Sequence, residues 1–441
     1  MERKAYALDS SAIIHLAARE KTHTNSFRLS VTLTEPVCPS TLQTALNHIA
    51  PRFPAIVAGI RRGACQYTVV PAETPPEVQP DREYLAYMPD HMIENCALRV
   101  LYGERRISVE IFHALTDGYG GMAFLKALLR EYLLLARRIA CPHKIQAPSD
   151  RELADDYITY AEGTSVPIRP RKIYRLPGKA LPGETVRITT AIYDLRELLN
   201  AAHSCHVSLT AFLTAVLAAS MAEMQAESAP SGKRWPVQIM VPVDLRRKFK
   251  SESLRNFSLY ALPCVEPEQF GLPFPALAAE ISRQMERQLT KERLAGMMAA
   301  SVKLQNMPLI RSAPLGLKEA LLHWGHSCCE TSCLTLSNLG EITFPPELRP
   351  YIERVECMLT PRKKSPYNCG AASYRGKLYF HFIRRCENAE LERRFFRRLA
   401  AMGCKAVFEV DGRPAGRGSH PEPFSPWSGP PDKKRALCGA V

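Results

Sequence analysis

The sequence predicts a mixed α/β protein of two domains, and three observations lead there. The chain has 441 residues, more than one ordinary core accommodates. Strand-like and helix-like patterns alternate in both halves. Between them, residues 161–185 carry Pro167, Pro170, Pro177 and Pro182 and no apolar periodicity, which marks a connection. The expected division is 1–165, a linker at 166–185, 186–410, and a tail at 411–441.

Taken in order, residues 26–36 alternate and are rich in branched side chains, as a strand should be. Pro39-Ser40 opens a helix whose Leu42, Leu46 and Ile49 share one face. A strand is expected around 65–71. Residues 97–102 and 105–112 read as a hairpin turning at Gly103-Glu104. Its second strand runs into His113, Gly118, Gly120 and Gly121 break the pattern, and a helix is expected from Met122 to Arg137. Past the connection come a strand at 186–194 and a helix at 195–203. Ser208 then reads as the N-cap of a long helix, 209–225. Strands are expected at 235–243 and 255–265, one long helix at 273–305, and a strand at 332–337 closed by Asn338-Leu339-Gly340. Strands near 353–360, 369–375 and 377–385 and a helix at 388–402 follow. Residues 411–441 are rich in Gly, Pro, Ser and Arg and read as a disordered tail.

Composition bounds the function. Apolar residues at 46% and charged residues at 23% describe a globular chain with a sizeable core. The net charge of +14 is spread out, with short clusters at Arg169-Pro170-Arg171-Lys172, Arg246-Arg247-Lys248 and Arg362-Lys363-Lys364. No basic tract interleaves with aromatics, so nucleic acid is not expected. Met1-Glu2-Arg3-Lys4 leads into no apolar run, so no signal peptide is expected. The 14 cysteines are irregularly spaced and read as reduced thiols in the cytoplasm. Cys328, Cys329 and Cys333 lie near His326, but nothing completes a paired zinc pattern, so no metal is expected. No run of eighteen apolar residues predicts a membrane span. The sequence has no Gly-x-Ser-x-Gly elbow, Walker loop or dinucleotide fingerprint. His381, in an apolar strand, reads as a core histidine.

The segment that carries chemistry is His113-Ala114-Leu115-Thr116-Asp117-Gly118. An imidazole at a strand-to-helix junction titrates near 6.5 and can take a proton at neutral pH. Asp117 can bind an arginine and stiffen the turn. Gly118 can adopt backbone angles closed to other residues and offer an N–H to a developing oxyanion.

This segment resembles the His-x-x-x-Asp-Gly signature of the chloramphenicol acetyltransferase-like superfamily. That group includes peptide-synthetase condensation domains, carnitine and plant acyltransferases, and alcohol O-acetyltransferases. Further landmarks keep the same order. Arg52-Phe53-Pro54 follows the first long helix. Pro242-Val243-Asp244-Leu245-Arg246 precedes Arg255-Asn256-Phe257, and Ser337-Asn338-Leu339-Gly340 comes late. Phe112 stands where many condensation domains carry a first histidine, and the plant branch's Asp-Phe-Gly-Trp-Gly is absent. The nearest likeness is to stand-alone alcohol acetyltransferases or condensation-like proteins.

The resemblance implies an α+β sandwich of two chloramphenicol acetyltransferase-like domains, with the active site in a tunnel at their interface. It implies His113 as general base, Asp117 in a structural ion pair with Arg52 as first candidate, and Gly118 at the oxyanion with help from Ser337 or Asn338. Ser337 and Asn338 equally read as the cap of a buried strand, and Asp244 and Arg246 as residues shaping a loop. The implied donor is an acyl thioester, acyl-CoA first and an acyl carrier protein as the alternative. The implied acceptor is a small alcohol or amine. No tightly bound cofactor is implied, and a monomer is expected. A non-catalytic binding protein on the same scaffold is the competing class.

Overall fold

In the computed structural model each half of the chain is organised around its own sheet. The structure describes residues 5–17, 19, 25–137, 145–167, 171–182, 186–228, 232–308, 310, 313–328, 331–362, 365–410 and 413–414. Arg169, Pro170, Cys329, Lys363, Lys364 and nearly all of the expected tail lie outside them, as do the side chains of His326 and Cys328.

The first sheet runs in the order Ile352–Leu359, Ser26–Leu33, Arg106–Phe112, Leu98–Tyr102, Gln79–Pro80. Its pairs are antiparallel except the last. The helices Pro39–Ile49 and Gly118–Arg137 pack together, burying Leu42, Leu46 and Ile49 with Phe124, Leu125, Leu128 and Leu129. A small sheet of Tyr6–Ala7, Tyr67–Pro71 and Ala58–Arg62 flanks this half.

The second sheet has at its centre Val237–Asp244, Leu334–Glu341, Tyr367–Tyr374, Lys377–Arg384 and Arg187–Asp194. Leu334–Glu341 pairs in parallel with both of its neighbours. Helix Leu209–Ser228 packs against Phe274–Gln288, Glu390–Ala401 and the strand Val237–Asp244. By length and composition Leu209–Ser228 could cross a membrane, but 78% of its apolar window is buried inside the molecule. A helix apolar on all sides is then a core helix.

One strand crosses between the halves. Ile352–Leu359 lies within the second half of the sequence, yet pairs with Ser26–Leu33 from Leu33↔Ile352 to Phe27↔Leu359. Its Ile352, Val355 and Cys357 belong to the first half's core.

Elsewhere the structure departs from the expected elements for local reasons. The single helix expected over 273–305 is two, Phe274–Gln288 and Lys291–Asn306. Thr290 restarts it by accepting the Arg293 N–H at 3.3 Å. The strand expected over 255–265 is split into Ser258–Ala261 and Cys264–Val265, with Pro263, which has no N–H to donate, between them. The strand expected to close at Ser337 continues to Glu341 through a register shift, with Gly340 at φ +70°. Ser208 caps its helix as expected, accepting the Ala211 N–H at 3.2 Å.

His381 is fully buried, as expected. Its Nδ1 lies 2.9 Å from Thr190 Oγ1 and its Nε2 3.6 Å from Glu356. Burial pushes its pKa down from the ordinary 6.5 to about 4. Below pH 6.5 the unfolded chain therefore binds a proton that the folded chain refuses, and stability is lost as pH falls toward 4. The loss amounts to about 2 kcal/mol between pH 7 and pH 5. Urea unfolding at the two pH values should show His381→Gln losing less stability than the parent by that amount. An identical pH dependence in the two proteins contradicts the assignment.

Candidate active site

The strand Arg106–Phe112, central in the first sheet, carries His113 just past its C-terminal end. Ser26 pairs with Phe112, and the His113 N–H donates to the Asn25 carbonyl at 3.1 Å. Ala114 and Leu115 anchor the turn in the core. Thr116 then sends its hydroxyl across to the Leu254 carbonyl at 2.6 Å, which ties the turn to the second half.

Asp117 is the most heavily bonded residue of the segment. Its Oδ1 accepts the Tyr119 and Gly120 N–H groups at 3.1 and 3.2 Å, capping the helix Gly118–Arg137. That cap is why the helix begins at Gly118 and not at Met122. The same carboxylate takes a two-pronged pair from Arg246, Nη1 to Oδ2 at 2.9 Å and Nη2 to Oδ1 at 3.1 Å. The Phe257 N–H adds a bond to Oδ2 at 2.8 Å. Both Asp117 and Arg246 are buried.

Arg246 therefore replaces Arg52 as the partner of Asp117. Arg52, on the turn Ala50–Arg52, pairs instead with Glu152. The reason is reach: Arg246 comes from the far half, where its Nε and Nη2 also bond the Ser253 and Arg255 carbonyls at 2.6 and 2.7 Å. The guanidinium thus holds the loop 246–257 closed while it clamps the motif.

The glycines are required by close approach. A Cβ on Gly120 would stand 2.1 Å from both the Leu254 carbonyl oxygen and Thr116 Oγ1, and one on Gly121 would stand 2.7 Å from the Phe27 ring. Gly118 departs from the expectation of special angles. It is not among the positive-φ glycines, and its neighbour is Leu339 Cδ2, 3.1 Å from where a Cβ would stand. At the first position of a helix its N–H has no intrahelical acceptor.

Leu339 brings the end of the strand Leu334–Glu341 against the motif. Asn338 itself is engaged within its own half: Nδ2 donates to Thr210 Oγ1 at 3.1 Å, and Oδ1 accepts the Gly340 N–H at 3.0 Å. Ser337 is buried on that strand, opposite Gly370.

His113 is partly buried. Its Nδ1 lies 3.2 Å from Asn256 Oδ1. Asn256 is oriented by Asp9, whose Oδ2 accepts its backbone N–H at 3.1 Å and faces its Nδ2 at 3.5 Å. The Asn256 oxygen thus faces the imidazole, and Nδ1 donates to it. That leaves the lone pair on Nε2. Desolvation holds the His113 pKa below the ordinary 6.5, against the pull of Asp117 and the Asn256 bond, so the ring is neutral at pH 7. Asp9 pairs with Arg255, and burial pushes its own pKa up to about 7. Two more rings touch His113: His15, stacked at 4.1 Å and 10°, and Phe27, edge-on at 5.1 Å and 65°.

Sequence reasoning united His113, Asp117 and Gly118 but missed Asn256, His15 and Asn25. The Arg255-Asn256-Phe257 landmark marked the first of these without assigning it a task. His15 and Asn25 sit in no motif and carry no signal of their own. Among the described residues no three His, Cys, Asp or Glu converge as a metal cage.

No family model matches the chain, and no curated protein matches it in sequence. Solved structures do. TRI101 from F. sporotrichioides, complexed with coenzyme A and T-2, aligns at a TM-score of 0.61 with 14% identity over 89% of this chain and 97% of its own. The epimerization domain from the third module of tyrocidine synthetase B aligns at 0.57 and 12%, covering 91% and 97%. A wax ester synthase/diacylglycerol acyltransferase from Marinobacter aquaeolei aligns at 0.52 and 12%, covering 90% and 100%. At such identities the likeness is one of fold.

Proposed function

On the premise that this chain has the two-domain chloramphenicol acetyltransferase-like fold, we propose that it is an acyltransferase with His113 as general base. The observation that carries the reading is the state of that imidazole. It is neutral, desolvated and held at Nδ1 by Asn256, with its lone pair on Nε2, in the turn that leads into the helix Gly118–Arg137. Such a group can take a proton from a hydroxyl or amine.

The acceptor's O–H or N–H gives its proton to Nε2 as the heteroatom attacks the thioester carbonyl. The resulting oxyanion is met by the Gly118 N–H at the positive end of the helix. Collapse breaks the carbon–sulfur bond, and the leaving thiolate takes the proton back from Nε2. Asp117 does not react; it holds Gly118 and the loop of Asn256 in place. The donor and acceptor reach His113 between the two halves. Acyl-CoA is the favoured donor because TRI101, on the same fold, was solved with coenzyme A.

The test is thiol release from acetyl-, octanoyl- and palmitoyl-CoA against a panel of primary alcohols and amines. Release that depends on the acceptor is the expected result. Transfer seen only when the acyl group is loaded on a carrier protein moves the donor from CoA to carrier. No release from either donor overturns the reading and leaves a binding protein.

A further inference from the structure

The stacked pair His15–His113 has no place in the mechanism above. His15 rides on the short helix Ile13–Ala17, nearly a hundred residues before the motif. Its ring lies face to face with the base, centroids 4.1 Å apart and planes within 10°. One residue contacts both histidines. Asn25, in the left-handed region at φ 59°, gives its carbonyl to the His113 N–H. Its side-chain Nδ2 donates to the His15 carbonyl at 3.3 Å and faces His15 Nδ1 at 3.0 Å.

That geometry fixes the tautomer. A backbone carbonyl only accepts, so the part of the Asn25 amide facing it is the NH₂ group. His15 Nδ1 must then accept as well, and the ring hydrogen sits on Nε2. His113 is the reverse, with its hydrogen on Nδ1 facing Asn256. The hydrogen bonds thus put the ring hydrogens of the two stacked imidazoles on opposite nitrogens.

We propose that His15 is a positioning residue for the base: its face sets the plane of His113 and receives the positive charge that His113 acquires during turnover. The kinetic part rests on the acyl-transfer reading; the arrangement of the two rings does not. A cation over an aromatic face is stabilised by about 3- to 30-fold in equilibrium terms. The benefit requires His15 to stay neutral, because two imidazolium rings at this spacing repel. Asn25 enforces that by presenting donors to Nδ1.

The first measurement needs no substrate. Nitrogen-15 NMR of the full chain with ring-labelled histidine should report Nε2–H for His15 and Nδ1–H for His113 at neutral pH. Resonances are assigned by their loss in His15→Phe and His113→Ala. A protonated or Nδ1–H His15 overturns the proposal even if the chain proves inactive. The second measurement uses whichever CoA donor and acceptor the panel turns over. His15→Ala should lower kcat by about 10- to 30-fold with KM little changed, and His15→Phe, which keeps a ring, should retain at least about a third of parental kcat. Asn25→Asp turns the donor into a carboxylate, charges His15, and should lower kcat by at least about 30-fold. Adding His15→Phe to Asn25→Asp should then recover about tenfold, because the phenyl ring has no nitrogen to protonate. Parental kcat in His15→Ala, or a double variant no better than Asn25→Asp, sinks the proposal.

Discussion

Replacing His113 with alanine should lower acyl transfer by about 10²- to 10⁴-fold, the usual worth of a positioned general base. The fold should survive. The side chain is only partly buried, and the backbone bond to Asn25 remains. An unchanged urea midpoint beside the lost turnover separates the two effects. The same residue predicts the pH profile. The base works when neutral, and desolvation keeps its pKa under 6.5. The acid limb of kcat/KM should therefore lie below pH 6.5, with activity lost as pH falls through it. An acid limb above 6.5, or full turnover in the variant, removes His113 from the role.

The second large effect is expected at Arg246. Removing one partner of a buried ion pair strands the other charge, at a cost of about 3–5 kcal/mol. That is a large share of a typical domain's 5–15 kcal/mol. Arg246→Met should cost this much in urea unfolding, because the buried Asp117 carboxylate would lose its cationic partner and keep only backbone N–H donors. It should also slow turnover, since the loop that Arg246 closes carries Asn256. Adding Asp117→Asn removes the stranded charge, so the double variant should be more stable than Arg246→Met. A double variant as unstable as the sum of the singles argues that packing, not charge, holds the clamp.

Local signals made much of the fold legible. The strands Ser26–Leu33 and Arg106–Phe112 and the helices Pro39–Ile49 and Leu209–Ser228 follow from alternation, period and caps. The errors came where one side chain overrides composition. Thr290 restarts a helix that looked continuous, and Asp117 starts one through glycines that looked like a break. Long-range pairing was out of reach. Nothing in residues 352–359 says that their partner is the strand at 26–33. The site followed the same rule. His113 and Asp117 share a motif and could be read together. The partner of Asp117 lies 129 positions away, and choosing Arg246 over Arg52 needed the fold. His15 and Asn25 matter only because the fold lays them on the motif.

The crossing strand Ile352–Leu359 also bears on how the chain folds as it is made. The first half closes its sheet only after the ribosome has delivered residue 359, long after the motif has emerged. Until then Ser26–Leu33 is an open edge, a row of unpaired N–H and C=O groups beside Phe27, Leu29 and Val31. A fragment ending at the connection would carry that edge permanently, and strand-to-strand aggregation is its natural fate. The two halves are therefore one unit of biosynthesis, and the base on the first is seated in a finished sheet only when the second has been built.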